Sequence, residues 1–316
     1  MAAELWQANR GYMATPKLSD ELRFATQPLC RFTQFCDVEV AQGKNRGDTY
    51  SWNVYGDATN QGGMIAENQR MPVTSFAQTQ ASVQLKEFGN SVEYTGLYDN
   101  LSEHPIKVII NKTLKNDAAK ALDVAAWGQF DATILAARST SATAFDYTET
   151  GSFAGTASNA LSVDHVKGIV DMMAQDRKIP VFDGENYVCL TTHRMIRPFL
   201  TELEGIHKYT DQGWGRIMDG EAGKYENMRF VRQSNVLPVT GQTGAGTTGA
   251  GAYFFGADTV TEVFAEPLQI RGKMPDDYGR SSGIAWYYVG NFGITNNDTS
   301  STEGKRQSRI VKWRSI

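Results

Sequence analysis

The sequence is poor in the residues that most often carry chemistry. Four histidines, His104, His165, His193 and His207, are scattered over 316 residues without a His-x-x-x-His pair, and Cys30, Cys36 and Cys189 form no Cys-x-x-Cys pair. A zinc site would have to be assembled entirely by the fold, and three unpaired cysteines read as packing thiols, not as a disulfide framework. No metal or other cofactor is expected. An excess of positive charge is also missing. With 31 Lys and Arg against 35 Asp and Glu the formal net charge is -4 and the pI is near 5.7, which argues against a surface built to grip phosphates by counterion release. No run of 18 apolar residues exists, so no membrane helix is expected. The opening Met-Ala-Ala-Glu-Leu-Trp lacks the basic start and apolar stretch of a secretion signal, and synthesis in the cytosol is expected.

What is present can fold. Hydrophobic residues at 41% and charged residues at 21% are ordinary for a globular chain and far from the bias of disorder. At 316 residues, one large domain or two interwoven ones is expected.

Residues 1–46 show no sustained period apart from a short helix expected near residues 19–26, and with Pro16 and Pro28 they read as an extended arm. At Gly47 the pattern changes to alternation, with Tyr50, Trp52 and Val54 on one face and Thr49, Ser51 and Asn53 on the other. A matching strand runs through Ala81, Val83 and Leu85 and resumes at Val92 and Tyr94 after the irregular Lys86-Glu87-Phe88-Gly89-Asn90. Residues 47–95 are therefore predicted to form a two-stranded hairpin. Its tip, residues 56–74, is rich in Gly, Asn, Gln and Asp, with Met64, Ile65, Met71 and Val73 as scattered apolar residues. Hairpin loops in compact domains run about 2 to 5 residues, and strands of roughly ten residues would reach roughly 30 Å. An isolated ribbon is marginal in water, so another copy of the chain is expected to cover it.

A long helix is predicted from Ser102 to Ala137, with Pro105 in its first turn and Ile110, Leu114, Ala118, Ala121, Leu122 and Ala125 along one stripe. Ser162 suits the N-cap of a helix carrying Val163, Val166, Ile169, Val170 and Met173, stopped by Pro180. A strand at residues 187–190 precedes a helix holding Ile196, Phe199, Leu200 and Leu203. Further strands are predicted at residues 229–231, 252–255, 260–264 and 284–289. The grouping implies an α+β fold with a mixed sheet and helices packed on it.

Two short motifs raise an enzymatic alternative. Gly279-Arg-Ser-Ser-Gly283 matches the G-x-S-x-G nucleophile elbow, with Ser281 as the nucleophile of a cytosolic α/β hydrolase. Its surroundings are wrong, because a strand-like run follows it and all four histidines precede it. Gly244-Ala-Gly-Thr-Thr-Gly249 matches G-x-G-x-x-G but precedes a strand, whereas a dinucleotide site needs a helix there. Asp276 and Asp277 lie between a proline and a glycine and read as a solvated turn. The terminal Ile-Val-Lys-Trp-Arg-Ser-Ile mixes cations with Trp313; three cations in the last eight residues are few for nucleic acid, and a contact between subunits is expected through Trp313.

An arm, a long two-stranded loop, a spine helix and then a sheet-and-helix domain resembles the major capsid proteins of tailed phages, the Hong Kong ninety-seven fold. The stretches that look like that family are Gly47-Asp48-Thr49, residues 67–72, residues 85–89, residues 111–131 and residues 223–231. The resemblance implies an N-terminal arm over residues 1–46, an extended loop over 47–95 and a peripheral domain with the spine helix over 96–160. It further implies an axial domain over 161–265, with return strands and a tail over 266–316. It implies a non-enzymatic shell subunit that forms hexamers and pentamers of an icosahedral head around double-stranded DNA. Tyr50, Trp52, Val54, Met64, Ile65 and Met71 would contact the adjacent subunit through the extended loop. The other partners implied are a portal, a separate scaffolding protein and a decoration protein, with only weak, non-specific contact to packaged DNA. The place would be the virion, assembled in the host cytoplasm. An encapsulin, which encloses an enzyme within a shell of the same fold, is the alternative inside the structural class.

Overall fold

The computed structural model describes residues 27–41, 47–58, 62–153, 155, 157, 159–207, 223–235, 250–296, 305 and 307–315. The helix expected near residues 19–26, the glycine motif at 244–249 and most of the polar segment 296–309 lie outside them.

The strands fall into three sheets. A two-stranded ribbon pairs β2 (Thr49–Ala58) with β3 (Phe76–Gln84). A four-stranded sheet has the order β1 (Asp37–Val40), β11 (Val260–Gly272), β12 (Ser281–Ile294), β4 (Lys86–Thr95). A seven-stranded sheet runs β6 (Phe145–Thr148), β5 (Leu135–Ser139), β13 (Ile310–Ser315), β10 (Ala250–Phe255), β7 (Tyr187–Thr192), β9 (Met228–Gln233), β8 (Lys224–Tyr225). The helices are α1 (Gly96–Leu101), α2 (Ile106–Asp131), α3 (Val163–Asp171), which continues into a π turn at Met172–Asp176, and α4 (His193–His207).

The spine helix is α2. Its buried residues Ile106, Ile110, Leu114, Ala118, Ala126 and Phe130, with Leu122 half-buried between them, form one row with a step of four. A step of four overshoots a full turn by about 40°, so the row winds about 240° around the axis from one end to the other. The two halves of the helix therefore face different partners. Ile106 to Ala118 pack with Tyr94, Trp286 and Tyr288 of the four-stranded sheet. Ala126 and Phe130 pack with Val188, Leu190, Tyr253 and Phe255 on one face of the seven-stranded sheet, joined by Val260 and Phe292 from the end of the four-stranded one. Leu122 touches both clusters.

The opposite face of the seven-stranded sheet buries Tyr187, Cys189, Ala252, Phe254, Val311 and Trp313 under α3 and α4. Alternation along β7 and β10 thus sends consecutive residues to two cores, as the pleat requires. Helix α3 starts where the sequence placed it. The Ser162 hydroxyl accepts from the His165 amide at 3.3 Å, and the Ser162 amide donates to His165 Nδ1 at 3.1 Å, a capping box with histidine in the place of the usual Glu or Gln.

Several expectations are corrected. The spine helix ends at Asp131, not Ala137, and at 26 residues spans about 39 Å. Leu135–Ser139 is instead a strand, because Leu135 and Ala137 are needed in the core under α3 while the chain pairs with β13. Lys86–Thr95 is not the far part of the hairpin: it pairs along its whole length with β12, so the ribbon ends at Gln84. The sheets also ignore the boundaries expected at residues 160 and 265. Residues 135–148 already belong to the seven-stranded sheet, and β11 and β12 run through 260–294 in the four-stranded one.

The segment before β1 is held by one buried carboxylate. Asp123, fully buried on the spine helix, accepts from the amides of Phe32 at 2.7 Å and Thr33 at 3.5 Å and from Asn235 Nδ2 at 2.9 Å. Burial raises its carboxyl above the ordinary range, and these donors oppose the rise. Asp123→Ala leaves these donors without their acceptor and is expected to cost about 3 kcal/mol, read from urea unfolding of the purified chain.

Candidate inter-subunit surface

The ribbon opens at Gly47, whose φ of +90° suits glycine. The Asp48 carbonyl accepts from the Leu85 amide at 2.7 Å, and its carboxylate accepts from Gln84 Nε2 at 2.9 Å, which closes the base of the ribbon. From there the register runs Thr49 opposite Gln84 to Tyr55 opposite Gln78, then shifts before Ala58 meets Phe76. Such an irregularity bends and twists a ribbon.

The two halves of the ribbon have different surroundings. Near its base, Trp52 Nε1 donates to the Thr295 carbonyl at 2.7 Å and Asn291 Nδ2 donates to the Gln84 carbonyl at 2.8 Å. Ala81 and Val83 are buried, and a Cβ on Gly293 would lie 3.0 Å from Trp52 Cη2 and from Val83 Cβ. Tyr50 hydrogen-bonds Glu39 of β1, and the acidic partner raises its phenol above the ordinary range. Tyr50, Trp52 and Val54 do share a face, and Tyr50 and Trp52 pack together at 6.2 Å. Tyr50 and Trp52 are met here by the chain itself, Tyr50 by Glu39 of β1 and Trp52 by Gly293 and Thr295 at the end of β12. The expectation that only another copy could cover this face is therefore corrected for its base.

The far half is bare. Tyr55 and Phe76 stack at 6.3 Å and are both exposed. Beyond them Met64 is 104% exposed and Val73 94%, and Met71 and Ile65 are also exposed. Of the residues expected to meet a neighbour, Met64 and Met71 lie largely in solvent and Ile65 is about half exposed. Tyr55, Phe76 and Val73 join them. Tyr55 was missed because it lies on the face opposite Trp52, where the strand pattern reads as polar.

Trp313 is not at a surface. It is fully buried in β13 between β5 and β10, 5.2 Å from His165 and 6.0 Å from Phe145. The neighbouring cations are internal too. Lys312 Nζ donates to the Asp131 carbonyl at 3.0 Å, at the C-terminus of the spine helix, where the helix dipole favours a cation; burial nevertheless holds its pKa below the ordinary range. Arg314 lies over the Phe153 ring at 5.6 Å. What read as an amphipathic tail is a central strand with its cations sealed against the spine.

Ser281 opens strand β12 directly after a turn, and its backbone pairs with Thr95. No helix follows it, so the geometry of a nucleophile elbow is absent at this serine. Among the described residues no group of three or more His, Cys, Asp or Glu side chains is placed to hold a metal ion. His165 is occupied at both ring nitrogens, by Ser162 and by the Ser141 and Ala144 carbonyls. A groove of about 640 Å³ beside β9 is lined by Arg31, Lys224, Arg229 and Arg232, facing Asp183.

No protein-family model and no curated protein sequence matches the chain. Its fold does match solved structures over nearly its full length. A chain from the head of Helicobacter pylori bacteriophage KHP40 superposes with a TM-score of 0.67 at 10% identity, covering 95% of each chain. One from the acid-stable capsid of H. pylori bacteriophage KHP30 gives 0.66 at 11% identity, covering 100% of this chain and 98% of that one. One from the capsid of Ralstonia phage GP4 gives 0.65 at 17%, covering 96% and 95%. The fold is the α+β fold of these phage head and capsid chains, the one expected from the order of elements.

Gly293→Val should push Trp52 and Val83 out of contact and free the ribbon at its base. Proteolysis of the isolated subunit should then cut near residues 47–49 or 84–86, where the unaltered chain resists. Trp313→Ala should cost about 3 to 5 kcal/mol in chemical unfolding, as a core cavity does; a surface contact would leave the subunit's stability unchanged.

Proposed function

We propose that the chain is a coat subunit whose copies close into an icosahedral phage head around double-stranded DNA. The observation that carries this is the ribbon: a projection whose base is fixed to its own sheet and whose far half exposes Tyr55, Met64, Met71, Val73 and Phe76. A monomer gains nothing by ordering such a surface in water. In this reading the far half lies over the adjacent subunit of the same ring, hexamer or pentamer. The four-stranded sheet with the spine helix forms a peripheral domain, and the seven-stranded sheet an axial domain toward the ring centre. The match to phage heads supports DNA as the content over an enclosed enzyme. Portal, scaffolding and decoration proteins would be the further partners, and the host cytoplasm the place of assembly. The role is structural, and the acidic balance suits a lining that does not bind DNA tightly.

Electron microscopy of the purified chain tests the reading: rings or closed shells are expected, and a chain that stays monomeric at high concentration refutes it. The combined variant Met64→Asp, Met71→Asp, Val73→Asp should unfold at nearly the same urea concentration as the unaltered chain, because these side chains lie mostly in solvent, yet form no rings.

A further inference from the structure

Two rows of side chains cross the seven-stranded sheet on the face turned toward the spine helix. In one, Tyr253 of β10, Lys312 of β13, Ala136 of β5 and Thr148 of β6 stand side by side; in the next, Gly251, Arg314, Arg138 and Asp146 do. Partners in a ladder send their side chains to the same face, so each row can be read for charge. The first row is answered. Lys312 Nζ donates to the Asp131 carbonyl at 3.0 Å, and the Asp131 carboxylate accepts from the Tyr253 hydroxyl at 3.0 Å.

The second row is not. Arg138 pairs with Asp146 at 3.5 Å, which uses the one acid of the row. Arg314 is left between Arg138, a like charge, and Gly251, which has no side chain to offer. It is 7% exposed, and among the described residues it makes no hydrogen bond or ion pair. What it has is the Phe153 ring at 5.6 Å, which Lys312 shares at 5.7 Å. A guanidinium keeps its proton inside a protein, so its burial is not relieved by neutralisation. Like charges side by side in a sheet are unfavourable, and a ring shared by two cations returns less than a buried charge loses on leaving water. The fold holds a cation where an anion is missing.

The surroundings set the size of that anion. Strand β6 is an edge of the sheet. From that edge inward, exposure falls from 62% for the Asp146 side chain to 22% for that of Arg138 and to 7% at Arg314. A Cβ on Gly155 would lie 2.9 Å from Arg138 Nη1, so the chain passes close over that guanidinium. An ion entering from the edge meets Arg138 first and Arg314 behind it, where a polymer chain could not follow.

We propose that Arg314, flanked by Arg138, is the binding site of a small oxyanion of the phosphate type, either free or as the terminal phosphate of a nucleotide. The planar fork of a guanidinium presents parallel N–H donors that match phosphate oxygens, and a tetrahedral ion has oxygens for both arginines, whereas a carboxylate is filled by one fork. Bound there, the ion ties β13 to β5 beyond the end of the spine helix and removes the repulsion between them. The site is a property of the folded chain and stands whether or not its copies close into a shell.

Thermal unfolding of the full chain in rising inorganic phosphate, at an ionic strength held constant with sodium chloride, tests it. The midpoint should climb, and phosphate at about a hundred times its Kd should displace the unfolding equilibrium about a hundred-fold. Acetate should give no shift. In place of phosphate, dAMP separates the two sources: a shift matching that of phosphate admits a terminal phosphate ester, and none restricts the site to the free ion. Arg314→Met keeps much of the stem and removes the charge. Without phosphate it should be at least as stable as the unaltered chain, because an unpaired buried charge is gone, and it should lose the response. Arg314→Lys keeps the charge without the fork and should need about ten-fold more phosphate for the same shift. No response in the unaltered chain overturns the proposal, and so does an equal response in the variants, which is the mark of an ion excluded from the protein surface. An equal shift with acetate overturns the assignment to phosphate.

Discussion

Everything in this subunit depends on how one row of side chains winds around one helix. Because Ile106, Ile110, Leu114, Ala118, Leu122, Ala126 and Phe130 advance by four while the helix turns in 3.6, the apolar row faces one sheet at its start and the other at its end. Two sheets that share no strand are thereby fixed to the same rod. Three aspartates add polar ties along it. Asp117 accepts from Trp286 and Asn90 of the four-stranded sheet. Asp123 holds the segment that leads into β1. Asp131 accepts from Tyr253 of the seven-stranded sheet. A carboxylate on a rigid helix that accepts from a different element at each level fixes orientation as well as distance, and the burial of Asp123 makes any slippage expensive.

The same winding limits what the sequence could reveal. A stripe that stays on one side of a helix is easy to read; one that turns by about 240° leaves apolar residues on almost every side, and the spine was legible by its length and lack of breakers more than by its face. Its end was misread because Ile134, Leu135, Ala136 and Ala137 are good helix formers or neutral to one, and only the demand for a strand beside β13 overrides them. The strands read correctly, β2, β3, β7, β9 and β10 with the middle of β12 and the start of β11, are those where alternation or a short apolar run stood between clear breaks. Strand β13 was taken for a tail since Lys312 and Arg314 look like surface residues; nothing local says that a helix C-terminus and an aromatic ring wait for them. Ribbon strands β2 and β3 were legible, but β4 continues the same pattern with only Leu85 between, and the switch from ribbon to sheet is made by pairing with β12, some 200 residues away in sequence.

As for the surface, the apolar side chains that matter were half found. Met64, Ile65 and Met71 could be picked out because they interrupt a polar tip, while Tyr50 and Trp52 were picked by the same logic and turned out to hold the ribbon to its own sheet. The distinction is one of position along a lever. Residues near the base of a projecting ribbon must fix it, and residues near its end are free to meet something else. A sequence pattern records the face but not the distance from the base.

Exposed apolar residues occur on every soluble protein and singly mean little. Here the most exposed of them lie at the two ends of one long strand pair, Met64 and Val73 on the ribbon at one end and Met274 and Tyr278 in the turn at the other. The spine helix stiffens the distance between those ends by packing along the sheet that joins them. A rod with unlike groups at its two ends can satisfy both in an antiparallel pair, where each end meets the other kind, or in a head-to-tail row. In a head-to-tail row the angle between successive contacts decides whether growth closes into a ring.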